Sequence, residues 1–267
     1  MEASVTEWLN LLIRWTHVFA GILWIGQTYL FSWLDARVEE ATRANPSAQV
    51  WMVHSGGFYL VGKQKTPELL PQKLHWFKWE AASTWLSGMA LLILVYYAGG
   101  LMVDESVSQI STGAAVALGL VLLPVGWVIY DFLWRSPLSG SPLAAASVSY
   151  ILLIAIAFAL THVLSGRAAY IEVGALMGTL MAANVWLRIL PAQRQMVGAI
   201  QQKMAPNAML AARAKGRSKH NTYMVVPLVF IMISNHFPSA TYGNDYNWAI
   251  LGLLVLVGWG AAKVLRG

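Results

Sequence analysis

The chain has 267 residues, of which 57% are hydrophobic and only 11% are charged. Since soluble domains carry roughly 25% charged residues, this composition excludes an ordinary soluble protein and predicts an integral membrane protein. The net charge of +6 comes mostly from two connecting segments and so reports membrane topology, which argues against nucleic-acid binding. Cysteine is absent, which excludes disulfides, thiolate metal sites and c-type haem attached through a CxxCH motif.

Seven stretches of the sequence are long and apolar enough to cross a bilayer as helices. The sequence predicts these spans near residues 7–33, 76–99, 112–134, 143–164, 168–190, 221–237 and 246–264. The predicted fold class is therefore an all-α integral membrane protein. We expect one transmembrane domain over residues 1–267, built as a bundle of about seven helices.

Lysine and arginine are concentrated in two connecting segments, near 34–75 and 191–219, and are absent from 100–111 and 238–245. By the positive-inside rule the first two segments are cytoplasmic and the other two are external. We therefore expect a multi-pass protein of a bacterial inner membrane, with its N-terminus outside and its C-terminus in the cytoplasm. Glycine and proline predict a turn-rich structure in 34–75, and 191–219 is expected to begin as a basic amphipathic helix on the inner leaflet.

The histidines are the main candidates for chemistry inside this bundle. Three fall toward the external side: His17, His162 and His236. Three fall on the cytoplasmic side: His54, His75 and His220. Ionisable groups in a bilayer are costly and usually face the bundle interior. Because helical bundles hold b-type haem through axial histidines, imidazoles at two levels predict one or two haem b groups.

Five histidines are therefore candidate ligands of haem iron: His17, His75, His220 and His236, with His162 as a further one. Gly21 lies one turn from His17 and leaves room for a flat macrocycle, and Arg14 on the same face is placed to neutralise a propionate. Each histidine also has a purely structural interpretation. An imidazole at a helix end often hydrogen-bonds a loop carbonyl or lies among the lipid headgroups.

The other charges inside the predicted spans give weaker signals. Asp131 and Arg135 are spaced as an i,i+4 pair and are expected to satisfy each other. Glu80 and Arg188 are expected to reach the nearest interface. Glu172 is expected at the level of the external histidines. It is a proton carrier, a metal ligand, a partner of an imidazole, or a solvated carboxylate at a helix start.

Several sequence blocks follow the order of a known family along nearly the whole chain. They are RWTHVFAGILWIGQTYLF (14–31), VHSGGFYLV (53–61), LHWFKWEAASTWLSGMALLILVYY (74–97), YDFLWRSPL (130–138), GALMGTLMAANVW (174–186) and RSKHNTYMVVPLVFIMISNHFP (217–238). The chain resembles the membrane domain of bacterial urate oxidases that pass electrons to cytochrome c. The histidines in the matching motifs are His17, His54, His75, His220 and His236.

The resemblance implies a b-haem oxidoreductase that takes electrons from a cytoplasmic-side donor, urate, and passes them to a periplasmic c-type cytochrome. Relatives continue into a fused cytochrome; since this chain ends after its seventh predicted span without a CxxCH, we expect a separate cytochrome or other electron-transfer subunits. The family usually has histidine where this chain has Glu172, which implies a changed or lost haem site. The substrate-site candidates are His54, His75 and Lys78, in a basic inner vestibule that attracts the urate anion.

Two other functions fit the same sequence. One is a non-catalytic haem-binding subunit that transfers electrons or anchors a larger respiratory complex. The other is a proton-coupled transporter that uses the histidines and Glu172 as a relay. The sequence shows no inverted repeat or pair of broken helices, which argues against transport.

Overall fold

The computed structural model describes residues 4–45, 47–64, 67, 70–71 and 73–266. Eight α-helices lie within these residues, and seven of them follow the order of the seven predicted spans. They are α1 (Val5–Ala44), α2 (Trp79–Leu91), α3 (Thr112–Leu133), α4 (Pro142–Thr161), α5 (Gly166–Ala183), α6 (Leu190–Gln201), α7 (Ala208–Ser234) and α8 (Asn247–Arg266). Two π-helical segments, Leu92–Tyr97 and Asn184–Ile189, extend α2 and join α5 to α6. A short 3-10 turn, Pro137–Gly140, precedes α4.

Six helical stretches in the described part of the chain are long and apolar enough to cross a membrane: Val5–Arg43, Trp79–Tyr97, Thr112–Leu133, Pro142–Thr161, Gly166–Gln201 and Asn247–Arg266. The architecture is thus helical, as predicted for a membrane protein. Helix α7 is less apolar because its first half carries the basic residues Arg213, Lys215, Arg217 and Lys219. That α7 crosses the membrane stays a prediction, and so does the orientation of the bundle.

Both basic segments contain more helix than the sequence predicted. Helix α1 starts after a Ser4 cap, whose hydroxyl accepts from the Glu7 amide, and runs to Ala44 instead of residue 33. The extra residues, LDARVEEATRA, include strong helix formers and neither glycine nor proline. The 191–219 segment is mostly α6 and the start of α7. The helix continues through Pro191 because the preceding π-helical segment changes the hydrogen-bond register before the missing N–H.

An unpredicted β-hairpin lies between α1 and α2. Strands β1 (Val50–His54) and β2 (Gly57–Val61) pair antiparallel, with Trp51 opposite Leu60. Its turn uses Ser55 at φ 50° and Gly56 at φ 76°, the left-handed conformations that tight hairpins require. The predicted turn-rich structure in 34–75 is therefore this hairpin. Lys65, one of the cations of that segment, lies outside the described residues.

Helix α5 forms the centre of the bundle, and 12 of its 18 residues are buried. It packs against α2, α3, α4 and α7. The outer faces of α1 and α3 instead expose large apolar side chains, such as Ile22 and Val128, as expected for helices that face lipid.

A buried carboxylate connects three parts of the bundle. Asp131 on α3 accepts hydrogen bonds from Arg188 in the second π-helical segment, at 2.8 and 2.5 Å, and from Arg217 on α7, at 2.8 Å. The predicted partner, Arg135, is farther away at 3.5 Å. Arg188, which was expected to reach the nearest interface, pairs with Asp131 in addition. Its guanidinium turns inward because Asp131 offers it a bidentate partner.

Asp131→Asn is expected to destabilise the protein by about 3–5 kcal/mol, because it leaves the buried guanidinium of Arg217 without its counter-ion. Equilibrium unfolding in mixed micelles with a denaturing detergent measures this loss. The matched control is Asp35→Asn, which breaks the solvent-exposed Asp35–Lys63 pair and is expected to cost no more than about 1 kcal/mol. Equal losses in the two variants would contradict a structural role for the Asp131 cluster.

Candidate functional site

A cavity of about 980 Å³ opens at one end of the bundle, among α1, the segment just before α2, the second π-helical segment, and α6, α7 and α8. Its aromatic lining residues are Trp24, Phe31, Trp76, Phe77 and Tyr223. Its charged lining residues are Lys215, Lys219, Lys263, Arg266, Asp35 and Glu39. Lysine and arginine outnumber the acids, so the cavity favours an anion. The aromatic rings offer flat apolar surfaces against which a planar ligand can stack.

Of the three predicted substrate residues, the described cavity wall includes His75 alone. Its ring packs edge-on against Phe77, with the ring centroids 4.5 Å apart. His75 precedes α2, which begins at Trp79 instead of residue 76. Lys78 turns toward Trp79, with Nζ 5.1 Å from the ring centroid, and His54 is exposed at the end of β1.

A polar network inside the bundle reaches the same cavity through Asn221. The Asn221 side chain accepts from Asn184 at 2.9 Å and donates to the carbonyl of Met181 at 3.0 Å. Asn184 also donates to the Tyr130 hydroxyl at 3.0 Å, and that hydroxyl lies 2.7 Å from Nδ1 of His220. The network joins side chains of α3, α7 and the π-helical segment after α5, which are distant in sequence. Its local signal in the sequence is limited to isolated asparagines in apolar helices.

His220 is held in one orientation by this network. Its ring packs on Trp134, with the centroids 4.0 Å apart, while Tyr130 contacts Nδ1. Among the described residues, no hydrogen bond reaches Nε2. His220 therefore has Nδ1 engaged by a hydroxyl, which can either donate or accept, and an Nε2 without a hydrogen bond among the described residues.

His17 has the same arrangement in the middle of the bundle. Nδ1 lies 2.9 Å from the Thr84 carbonyl and 3.2 Å from the Ser87 hydroxyl. Because a carbonyl only accepts, Nδ1 carries the proton and Nε2 keeps its lone pair. His17 was expected toward the external side. It lies instead against Gly88, midway along the Trp79–Tyr97 stretch.

The surroundings of His17 differ from the predicted slot for a flat macrocycle. A side-chain carbon at Gly21 would lie 3.9 Å from Thr84, so α2 already fills the space beside that glycine. Arg14 is exposed and donates to Asn10 at 3.1 Å. The Arg14 side chain is thus exposed on the face of α1 that carries His17.

The remaining histidines lie at the opposite end from the cavity. His162 follows α4, where its Nδ1 donates to the Phe158 carbonyl at 2.7 Å, and His236 lies beyond the end of α7. Both are exposed. In the described part of the chain, no hydrogen bond or ring contact joins two histidines. Nor do three or more histidine or acidic side chains cluster there as a metal site.

Glu172 is completely buried in the bundle, so the interpretation as a solvated helix-start carboxylate is wrong. It lies beside Tyr97 and Gly119. Like His162 and His236, it lies toward the end of the bundle away from the cavity.

Comparison with known proteins identifies the family of the chain. A family model described as urate oxidase N-terminal matches residues 3–265, nearly the whole chain. Comparison with the curated proteins and with the solved structures gave no match.

Gly88→Ala is expected to displace His17, because the added carbon would lie 2.9 Å from Cε1 of its ring. Overpacking of this kind costs about 1–3 kcal/mol, so the unfolding temperature should fall. A thermal melt of the detergent-solubilised protein measures it. Gly178→Ala is the control, since a carbon there meets nothing within 4 Å. If the melting temperature of Gly88→Ala were unchanged, the His17 ring would be able to move aside without cost, which contradicts its fixed position against Gly88.

Proposed function

Because the chain belongs to the urate oxidase N-terminal family, which indicates a urate-related oxidoreductase role, we propose that it is a membrane b-haem oxidoreductase. Urate binds in the cationic cavity, and its electrons cross the bundle to a c-type cytochrome at the opposite end. The observation that carries this proposal is the cavity itself. It combines an excess of lysine and arginine with aromatic walls, as a planar purine anion requires.

The positions of the cavity residues support urate binding from the predicted cytoplasmic side. Lys219 and Lys263 approach from α7 and α8 and attract the anion, while Trp76 and Phe77 cover its ring. His75 lies in the same wall and is the nearest candidate to exchange a proton with bound purine. His54 and Lys78 lie outside this wall, so we assign them no contact with the substrate.

Two imidazoles at different levels of the bundle are the candidates to hold haem b. The Thr84 carbonyl holds the proton of His17 on Nδ1 and leaves Nε2 for iron, which requires α2 to move away from Gly21 to make room for the macrocycle. His220 offers Nε2 in the same way when its Nδ1 donates to the Tyr130 hydroxyl. Haem b, when bound, supplies one-electron transfer. Arg14, one turn from His17, is suited to a propionate, and the exposed His162 and His236 are suited to the exit end.

The proposed partner is a c-type cytochrome that docks at the end opposite the cavity. The two ends of the bundle differ in charge, since the 100–111 and 238–245 segments carry acids and no lysine or arginine. Electrons therefore enter at a cationic end and leave at an anionic end.

The double variant Lys219→Gln/Lys263→Gln is expected to raise KM for urate about tenfold, which corresponds to roughly 1.4 kcal/mol of lost binding. Urate-dependent reduction of an artificial electron acceptor by the purified protein measures it. The double variant Arg194→Gln/Arg213→Gln is the control, since it also removes two positive charges but outside the cavity wall. Equal KM values in both variants would contradict urate binding in this cavity.

His17→Ala is expected to lower the haem-to-protein ratio, because it removes the best-oriented imidazole of the bundle interior. Extraction and quantification of haem b from the purified variant measure this ratio. His54→Ala, on the exposed hairpin, should keep the full content. A normal ratio in His17→Ala would remove His17 from the set of ligands.

A further inference from the structure

Glu172 is the most unusual ionisable residue in the bundle. It is 0% exposed, and neither of its carboxyl oxygens has a hydrogen-bond partner among the described residues. The Tyr97 hydroxyl nearby is also buried and unpartnered there. Both groups lie over Gly119, where a side-chain carbon would come within 2.5 Å of Glu172 Oε1 and 2.8 Å of the Tyr97 oxygen. Because Gly119 has no side chain, the Glu172 carboxyl and the Tyr97 hydroxyl can occupy the space beside it.

The helices packed around Glu172 supply no charge to balance it. The parts of α2 with its π-helical extension, α3, α4 and α7 that lie nearest to it contain no lysine, arginine, aspartate or glutamate, over residues 81–97, 112–122, 150–161 and 225–234. On α5 itself, Arg167 is engaged elsewhere, since it donates to Asn235 at 2.9 Å and lies over the Tyr96 ring.

The other tyrosines around this part of the bundle have partners of their own. Tyr96 donates to Asn235 at 3.3 Å, Tyr170 to the Asn247 carbonyl at 2.6 Å and Tyr150 to the Gly252 carbonyl at 3.1 Å. Tyr97 is therefore the one described titratable side chain that shares the space above Gly119 with the carboxyl group.

We propose that Glu172 and Tyr97 form a buried proton-binding site that gains a proton when the redox centre of the bundle is reduced and loses it on reoxidation. The redox half of this inference rests on the proposed function. Burying an ionised carboxylate without a partner is costly, so the neutral acid is favoured whenever no positive charge is near. Reduction of the redox centre adds one negative charge to the bundle, and a proton bound at Glu172 compensates that charge.

The Tyr97 hydroxyl is buried, but Tyr97 is the last residue of its π-helical segment and is followed by the exposed residues Ala98, Gly99 and Gly100. On reoxidation, the end of this segment opens to water and the Tyr97 oxygen comes within hydrogen-bond distance of the Glu172 carboxyl. The carboxyl then gives its proton to the Tyr97 oxygen while the phenol proton passes to water. One proton leaves, Tyr97 is unchanged, and Glu172 becomes a carboxylate. Reduction reverses both transfers.

Infrared difference spectroscopy of the purified full chain tests the site. The spectrum is recorded first between two pH values that both lie above about 6, where exposed Asp and Glu with ordinary pKa values of about 4 stay ionised, and then between the reduced and oxidised protein at a fixed pH in that range. We expect a C=O band of a protonated carboxylic acid in both difference spectra. It should vanish in Glu172→Gln, shift in Tyr97→Phe and persist in Glu105→Gln, which changes an exposed acid.

The two spectra separate this inference from the proposed function. A pH-difference band that survives in Glu172→Gln, or that is missing from the unmodified protein, would overturn the proton-binding site whatever the haem content. A Glu172-dependent band in a protein without haem would keep the proton-binding site but overturn its redox coupling and the proposed function. A Glu172-dependent band that appears with pH but not with reduction would overturn the redox coupling alone.

Discussion

The contact of Asp131 with Arg188 and Arg217 is the constraint on which the cavity end of the bundle depends. It fixes α3, the π-helical segment after α5 and the start of α7 relative to one another. Buried ion pairs often contribute little net free energy, but losing one partner leaves an uncompensated charge. Once α7 is placed in this way, Asn221 and Lys219 face the cavity, and His220 meets Tyr130. The contacts of Asp131 therefore set both the orientation of His220 and the position of Lys219 in the cavity wall.

The polar groups of the bundle are arranged in levels along its axis. The cationic cavity and His220 occupy one end, His17 lies midway along α2, and Glu172 with Tyr97 lies toward the other end. Both π-helical segments fall at these levels, since Leu92–Tyr97 presents Tyr97 and Asn184–Ile189 presents Asn184 and Arg188. Such segments widen the helix locally and redirect side chains, which explains why polar groups can meet inside apolar helices.

The positions of the helices could be predicted from the length of the apolar stretches, whereas the contacts between the helices could not. Apolar stretches in the sequence were enough to place the helices, although α7 is less apolar than the six others. Helix formers beyond residue 33 and the π-helical segment before Pro191 carry two of the helices past their predicted ends. The pair of Asp131 and Arg135 was visible from its i,i+4 spacing. The stronger partners, Arg188 and Arg217, were not, because they are distant in sequence and meet Asp131 only through tertiary packing. His75 was predicted near substrate and lines the cavity, while the neighbour of Glu172 proved to be a tyrosine.

The most direct test of the account is an optical spectrum of the purified protein, recorded oxidised, after anaerobic urate, and after dithionite. The account predicts haem b bands that urate alone reduces. A protein prepared with ample haem that shows no Soret band would contradict haem binding and favour a proton-coupled transporter. Bands that dithionite reduces and urate does not would contradict urate oxidation and indicate an electron-transfer subunit with a different donor.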